Sequence, residues 1–332
     1  MKSFDFCRCA LCCATVAMLA PCGGSQPPVI ASGAVRQTSA LATHAEHGKS
    51  WMRPGTSGGD LLYASSTKST SVLVFNYSSG KVVQRIKATA LGLCSDSAGN
   101  VFMTNGTNSI DEYAHGGISP IATLYDAGNY PQACAIDPST GNLAVVGAQA
   151  NDATANVAIF PYTGSGFGTP NLYTDSSVNS FVWCAYDNAG DLFANASLGY
   201  KSEALDELAA GGSSLERVTI NQTMSKVGSI QWDGESLAMA DPIYAKAHGP
   251  AIIYQLHISG FTATVVGKTK LSGPRNKNDS LGPQLAIQDG SILYAESIAR
   301  NVGSWQYPQG GRPTRKFRVP ARPWGLTFSR GS

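Results

Sequence analysis

A polar turn running into a short apolar strand recurs along this chain. The fullest copy is Asp137-Pro-Ser-Thr-Gly-Asn142 followed by Leu-Ala-Val-Val146. Copies of the strand begin at Asp60, Asn100, Asn142, Asp191, Ser236 and Ser291, with spacings of 40, 42, 49, 45 and 55 residues. A strand-bearing repeat of about 40 to 50 residues has the period of a propeller blade. The pattern therefore predicts six similar all-β units.

Each unit carries four strand signals, here called a to d. In the second unit, strand a spans 91–95 and a Gly-containing turn spans 96–100. Strand b covers 101–104, strand c covers 109–113, and strand d covers 120–124 after the turn at His115-Gly-Gly117. Gly takes the positive φ such turns need. The first unit begins at Asp60 and lacks strand a. The missing strand is matched at the far end: Pro323-Trp-Gly-Leu-Thr-Phe328 aligns with Pro131-Gln-Ala-Cys-Ala-Ile136 and Pro283-Gln-Leu-Ala-Ile-Gln288. The expectation is a single domain over 59–330, a six-bladed β-propeller with four antiparallel strands per blade. The C-terminal strand closes blade one and removes the open edges of a linear array.

On these motifs the chain resembles six-bladed propellers of the NHL and YVTN-like class. It is most similar to uncharacterised bacterial propeller lipoproteins with repeated Cys-Ala-x-Asp-Pro-x-Thr-Gly-Asn-Leu-Ala-Val units behind a Cys-Gly-Gly-Ser signal end. The resemblance covers residues 60–329. It implies an extracytoplasmic binding scaffold without a defined ligand.

Composition adds compartment and excludes one class of partner. The 332 residues are 43% hydrophobic and 14% charged, with 36 Gly, which suits a turn-rich globular β fold. Net charge is +2, from 24 basic and 22 acidic residues, so no footprint for nucleic acid follows. Residues 1–22 read as an export signal: Lys2 and Arg8 flank an eleven-residue apolar run over 10–20. That run is shorter than the roughly 20 residues a membrane span needs. Leu19-Ala-Pro-Cys22 resembles a lipobox, with Pro21 departing from the usual small residue, so Cys22 is the expected lipidation site. Residues 23–58, rich in Gly, Ser, Pro and Thr, read as a flexible tether. The expected location is the cell envelope, anchored to a membrane through lipid, or secreted if processing fails.

Few residues offer chemistry. Of eight Cys, five (Cys7, Cys9, Cys12, Cys13 and Cys22) belong to the signal. Cys94, Cys134 and Cys184 are expected to pack as small apolar thiols. Cys94 stands two residues before its turn Asp and the other two stand three before, so Cys94 should face the opposite way. Asp96, Asp137, Asp187, Asp233 and Asp289 recur at the a–b turns, where Asp bonds the backbone two residues on. No Ser/His/Asp arrangement, phosphate loop or HExxH is legible. The b–c and d–a connections are unlike one another, notably 147–156, 197–202, 241–250 and 272–282. They carry the expected ligand-binding aromatics Tyr130, Phe181, Tyr200, Tyr244 and Trp324. The basic run Arg312, Arg315, Lys316, Arg318 and Arg322 reads as a solvated outer strand.

The favoured expectation is a monomeric, non-catalytic binding or scaffold module with no cofactor. Its partner would be an envelope protein, peptide or glycan. The alternative is a metal-dependent propeller hydrolase or lyase of lactonase type. There Asn105, Asn195, Asp241 and Glu296 would hold Ca²⁺ or another divalent ion at the axis.

Overall fold

The computed structural model describes residues 58–126, 129–149, 155–198, 203–222, 224, 228–241, 251–273, 283–296 and 298–331. The signal, nearly all of the tether, Cys22, Tyr200 and Tyr244 lie outside them.

The described residues form 24 strands and no helix. Pairing sorts them into consecutive antiparallel groups of four. β1 (Leu61–Ser66), β2 (Val72–Asn76) and β3 (Val82–Ile86) take β24 (Pro323–Ser329) as their fourth member. The second group is β4 (Leu93–Ser95), β5 (Val101–Thr104), β6 (Ser109–Tyr113) and β7 (Ala122–Tyr125). The third is β8 (Asn129–Ile136), β9 (Leu143–Gln149), β10 (Asn156–Phe160) and β11 (Asn171–Thr174). The fourth is β12 (Ser180–Tyr186), β13 (Leu192–Ser197), β14 (Glu203–Leu208) and β15 (Glu216–Ile220). The fifth is β16 (Ile230–Trp232), β17 (Leu237–Asp241), β18 (Ala251–Ser259) and β19 (Thr262–Leu271). The sixth is β20 (Leu285–Gln288), β21 (Ser291–Glu296), β22 (Asn301–Gln306) and β23 (Gly310–Arg318). Short bridges join groups at their edges: Thr219↔Thr262 and Leu271↔Gly311 are parallel, and Ser180↔Ala148 is antiparallel.

The C-terminal strand sits where the sequence pattern put it. β24 pairs antiparallel with β1, with Leu62 opposite Phe328 and Ala64 opposite Leu326. The burial gradient explains the repeat. The second strand of a group is buried along its length, as in β5 and β17, because a neighbouring sheet covers each face. The fourth strand is largely exposed, as in β11, and its sequence is correspondingly polar.

Four interfaces between neighbouring groups are separate apolar seams, and a continuous cluster runs from the third group through the fourth to the fifth. Leu61, Tyr63 and Val74 of the first group meet Leu93, Val101 and Met103 of the second. Phe102 and Ile110 of the second meet Val145 and Phe160 of the third. The last group returns to the first through Leu293, Val302 and Phe317 against Leu62, Phe75 and Leu326. Alternation along a strand thus assigns odd and even residues to two different seams.

That assignment overturns the reading of the cysteines as free thiols. Cys94 and Cys134 form a disulfide, with Cα atoms 5.6 Å apart, and Cys184 is the buried free thiol. Cys94 lies opposite Phe102, the second residue of its strand b, and Cys134 lies opposite Val145, the third of its own. The opposite facing inferred from sequence is what lets them meet: one looks forward and the other back across a shared seam.

The a–b turns of Asp137, Asp187 and Asp233 are built as expected, and Asp96 bonds an amide four residues on instead of two. Asp96 Oδ1 accepts from Asn100 N, and Asp137 Oδ1 from Ser139 N. Asp187 Oδ1 accepts from Ala189 and Asp191 N, and Asp233 Oδ1 from Glu235 and Ser236 N. Asp289 differs. Gln288 pairs directly with Ser291, so Asp289 and Gly290 are themselves the two-residue turn, with φ of 48° and 70°. Positive φ at both positions is what such a tight hairpin demands, and Asp-Gly supplies it.

Candidate functional site: the axial cavity

The first strand of each group lies on the inside. β4, β16, β20 and β24 each have one long ladder partner, so their other edge presents peptide N–H and C=O groups inward. Such groups must find partners. Near the strand starts, side chains from the adjoining group supply them. Ser65 Oγ donates to Leu91 O and accepts from Gly325 N. Thr104 Oγ1 bridges to Gln132 O, and Ser229 Oγ to Pro283 O and Leu285 N. Asn195 Nδ2 donates to Gly228 O while its Oδ1 accepts from Trp183 N, the amide freed by the bulge between Phe181 and Trp183. The backbones approach so closely that a Cβ on Gly325 would lie 2.0 Å from Leu91 O.

Farther along, amides do the same work. Gln231 exchanges two bonds with the Ile287 peptide of β20. Gln284 straps three strands: its Oε1 accepts from Leu93 N and Leu326 N, and its Nε2 donates to Leu93 O.

Between these straps and the a–b turns lies a cavity of about 890 Å³, lined by residues of all six inner strands. Its walls combine Gln231, Gln284, Gln288, Ser95 and Thr327 with apolar and aromatic residues, among them Ile136, Tyr186, Trp232 and Tyr307. Its rim carries Asn188, Asp233, Glu235 and Arg330. Asp233 is committed, since its Oδ2 accepts from the Tyr307 hydroxyl at 2.6 Å. Burial, and secondarily that bond, push the Tyr307 phenol well above its ordinary range. Burial alone does the same to the Cys184 thiol, which holds it un-ionised and poorly nucleophilic.

Of the aromatics singled out in the sequence, Tyr130, Phe181 and Trp324 do not line this cavity. Trp324 of the first group packs against Trp183 of the fourth, ring centroids 6.1 Å apart and planes tilted by 33°. Phe181 is fully buried in the adjoining seam, and Tyr130 is 39% exposed. Asn105 and Asn195, two of the metal candidates, make side-chain hydrogen bonds within the fold. Asn105 Oδ1 caps its own turn by accepting from the amides of Thr107, Asn108 and Ser109. Asn195 serves the inner strands as described. Asp241 and Glu296 are buried, and Glu296 lies 3.8 Å from Lys316 Nζ. Among the described residues, no three His, Cys, Asp or Glu side chains form a group that could hold a metal ion.

The fold also makes a Ser–His pair that no spacing revealed, separated by 214 residues. His115 Nδ1 lies 2.5 Å from Ser329 Oγ. Ser329 is fully buried and donates to Gly99 O, so the ring nitrogen must be the donor to Ser329. Tyr63, its phenol pushed up to about 12 by burial, accepts from Gly116 N at the same point. Buried and donating to a carbonyl, this serine is a latch on the C-terminal strand. A nucleophile would need access and a base.

No family model matches the sequence, and no curated protein matches it. Solved structures do resemble it. One is a chain of a nidogen/laminin complex, 13% identical over 82% of this chain and 98% of that one, with a TM-score of 0.61. Another is a protein of unknown function from Bacteroides caccae, 13% identical over 82% and 99%, TM-score 0.60. A third is a functionally unknown protein from Desulfotomaculum acetoxidans, 10% identical over 82% and 99%, TM-score 0.54. At such low identity the likeness speaks for architecture alone, and the architecture is that of a β-propeller.

Proposed function

We propose that the chain is a six-bladed β-propeller, four strands to a blade, exported and tethered to an envelope membrane through acylated Cys22. It acts as a non-catalytic binding module, and its axial cavity receives a polar, uncharged portion of an envelope protein, peptide or glycan. One observation carries this reading: the cavity brings the amides of Gln231, Gln284 and Gln288 together with apolar and aromatic residues such as Ile136, Trp232 and Tyr307, a lining that holds a ligand by hydrogen bonds and apolar contact. The four-strand groups and the pairing of β24 with β1 support the closed ring.

The test is recovery of partners from solubilised envelope on the immobilised protein. Asn188→Trp, on the exposed rim, should narrow the entrance and cut recovery severalfold. Unchanged recovery with this variant, alongside loss with Tyr130→Ala, would move the site to the opposite end. Chelator-sensitive turnover of a lactone would replace the binding module with the metal-dependent alternative. Cys22→Ala should shift the protein from the membrane to the soluble fraction.

A further inference from the structure

The basic run near the C-terminus is one stretch in sequence, but the fold divides it. Arg315 turns with Phe317 toward the first sheet, where it donates to Tyr77 O and lies over the rings of Tyr77 and Phe317 at 5.6 and 5.8 Å. Lys316 and Arg318 alternate to the opposite face. There, with Arg300 from the b–c connection, they line a second cavity of about 610 Å³, completed by Ala299, Asn301 and Pro320 among others. Among the described residues, no carboxylate lines it. Glu296, at 3.8 Å from Lys316, offsets one of three positive charges. Arg300 holds a φ of 55°, and its carbonyl accepts from Val319 N, which fixes this unusual backbone at the rim. This cavity is at the b–c end of the strands, away from the a–b turns that frame the axial one.

We propose that this pocket binds an oxyanion group, carboxylate or phosphate, borne by an acidic carbohydrate. Three like charges around one cavity repel each other, and an anion between them removes that cost. Ala299 and Pro320 offer apolar surface to the C–H face of a sugar. The volume falls within the roughly 300–1,000 Å³ of small-molecule sites. Among the described residues, no aromatic ring lines the pocket to offer the stacking platform that nucleic-acid bases use. The proposal is independent of the axial cavity.

The experiment is calorimetric titration of the purified protein with trigalacturonate, maltotriose, inorganic phosphate and a hexaglutamate peptide. Trigalacturonate should bind and maltotriose should not. Raising NaCl from about 50 to about 200 mM should weaken binding severalfold, as screening of exposed charges requires. Lys316→Gln with Arg318→Gln should weaken it about tenfold or more, the loss expected of charge-assisted bonds. Arg312→Gln and Asn188→Trp should leave it unchanged, all with unaltered melting temperatures. Absent trigalacturonate binding, equal binding of maltotriose, or an unaffected double variant would overturn the pocket. Phosphate or hexaglutamate binding as tightly as trigalacturonate would overturn the carbohydrate. Loss with Asn188→Trp would place the ligand in the axial cavity instead.

Discussion

The a–b turns and the inner ring of strands are held by different kinds of contact. At the turns, an Asp caps amides two to four residues away, as Asp137 caps Ser139. In the ring, partners are tens to hundreds of residues apart: Asn195 with Gly228, Gln284 with Leu93, His115 with Ser329. A local cap forms as soon as its own turn forms. A ring contact exists only once neighbouring sheets have assembled, so the ring contacts should carry the cooperativity of the fold.

The sharpest way to break this comparison is to open the ring. Removing residues 323–332 takes away β24, strips β1 of its inner ladder and deletes Ser329 beneath Gly99 and His115. The expected result is loss of the cooperative thermal transition by circular dichroism. A sharp transition near that of the intact chain would show that the ring contacts are dispensable.

Second in size is the covalent tie. Cys94 and Cys134 are separated by 40 residues, and the chain-entropy model gives about 4 kcal/mol for a closed loop of that length. Cys94→Ser with Cys134→Ser, or reduction, should lower stability in urea by about that order, and the intact protein should migrate faster than its reduced form in a non-reducing gel.

How much of this was legible in the sequence follows the same division. The Asp caps were readable because Asp, Gly and Asn stand together in one turn. The closing strand was readable because its Pro-to-Phe spacing repeats that of Pro131 and Pro283. The disulfide was misread although the facing of Cys94 was correct, because which seam each face enters appears only when sheets stack. Asn195 invites a metal reading because it is a polar residue at the end of a buried strand, and its bond to Gly228 O was not legible because that partner is 33 residues away. The axial cavity had no local signature, since its wall takes a few residues from each of six segments. The split of the basic run required knowing that Phe317 enters the seam with the first sheet.

Asn195 gives the third prediction and separates latch from ligand. Asn195→Ala leaves Trp183 N and Gly228 O without these partners in a buried seam, at a cost of about 1–3 kcal/mol for each group left unsatisfied. Stability should fall by about 2–6 kcal/mol in denaturant titration. A chelator should change neither the wild-type protein nor the variant. A variant as stable as wild type, or a wild type that loses stability in chelator, would return Asn195 to the metal reading.

The smallest effect belongs to a local cap, and pH isolates it. Burial raises the Asp137 pKa, but bonds from Thr140 and Ser139 outweigh it, and the net shift is downward from the usual carboxylate value. A carboxylate whose folded pKa is depressed adds stability above its unfolded pKa and loses it as pH falls through the folded one. Asp137→Asn keeps an oxygen for the Ser139 amide but loses the charge. Thermal melts should show the variant less stable by about 1 kcal/mol at neutral pH, with the gap closing as acid takes the wild type below the carboxylate range. A gap that persists in acid would mean the cap acts through shape alone. A loss as large as that of Asn195→Ala would erase the distinction between turn and ring, because a contact spanning two residues would then be stabilising the assembled sheets.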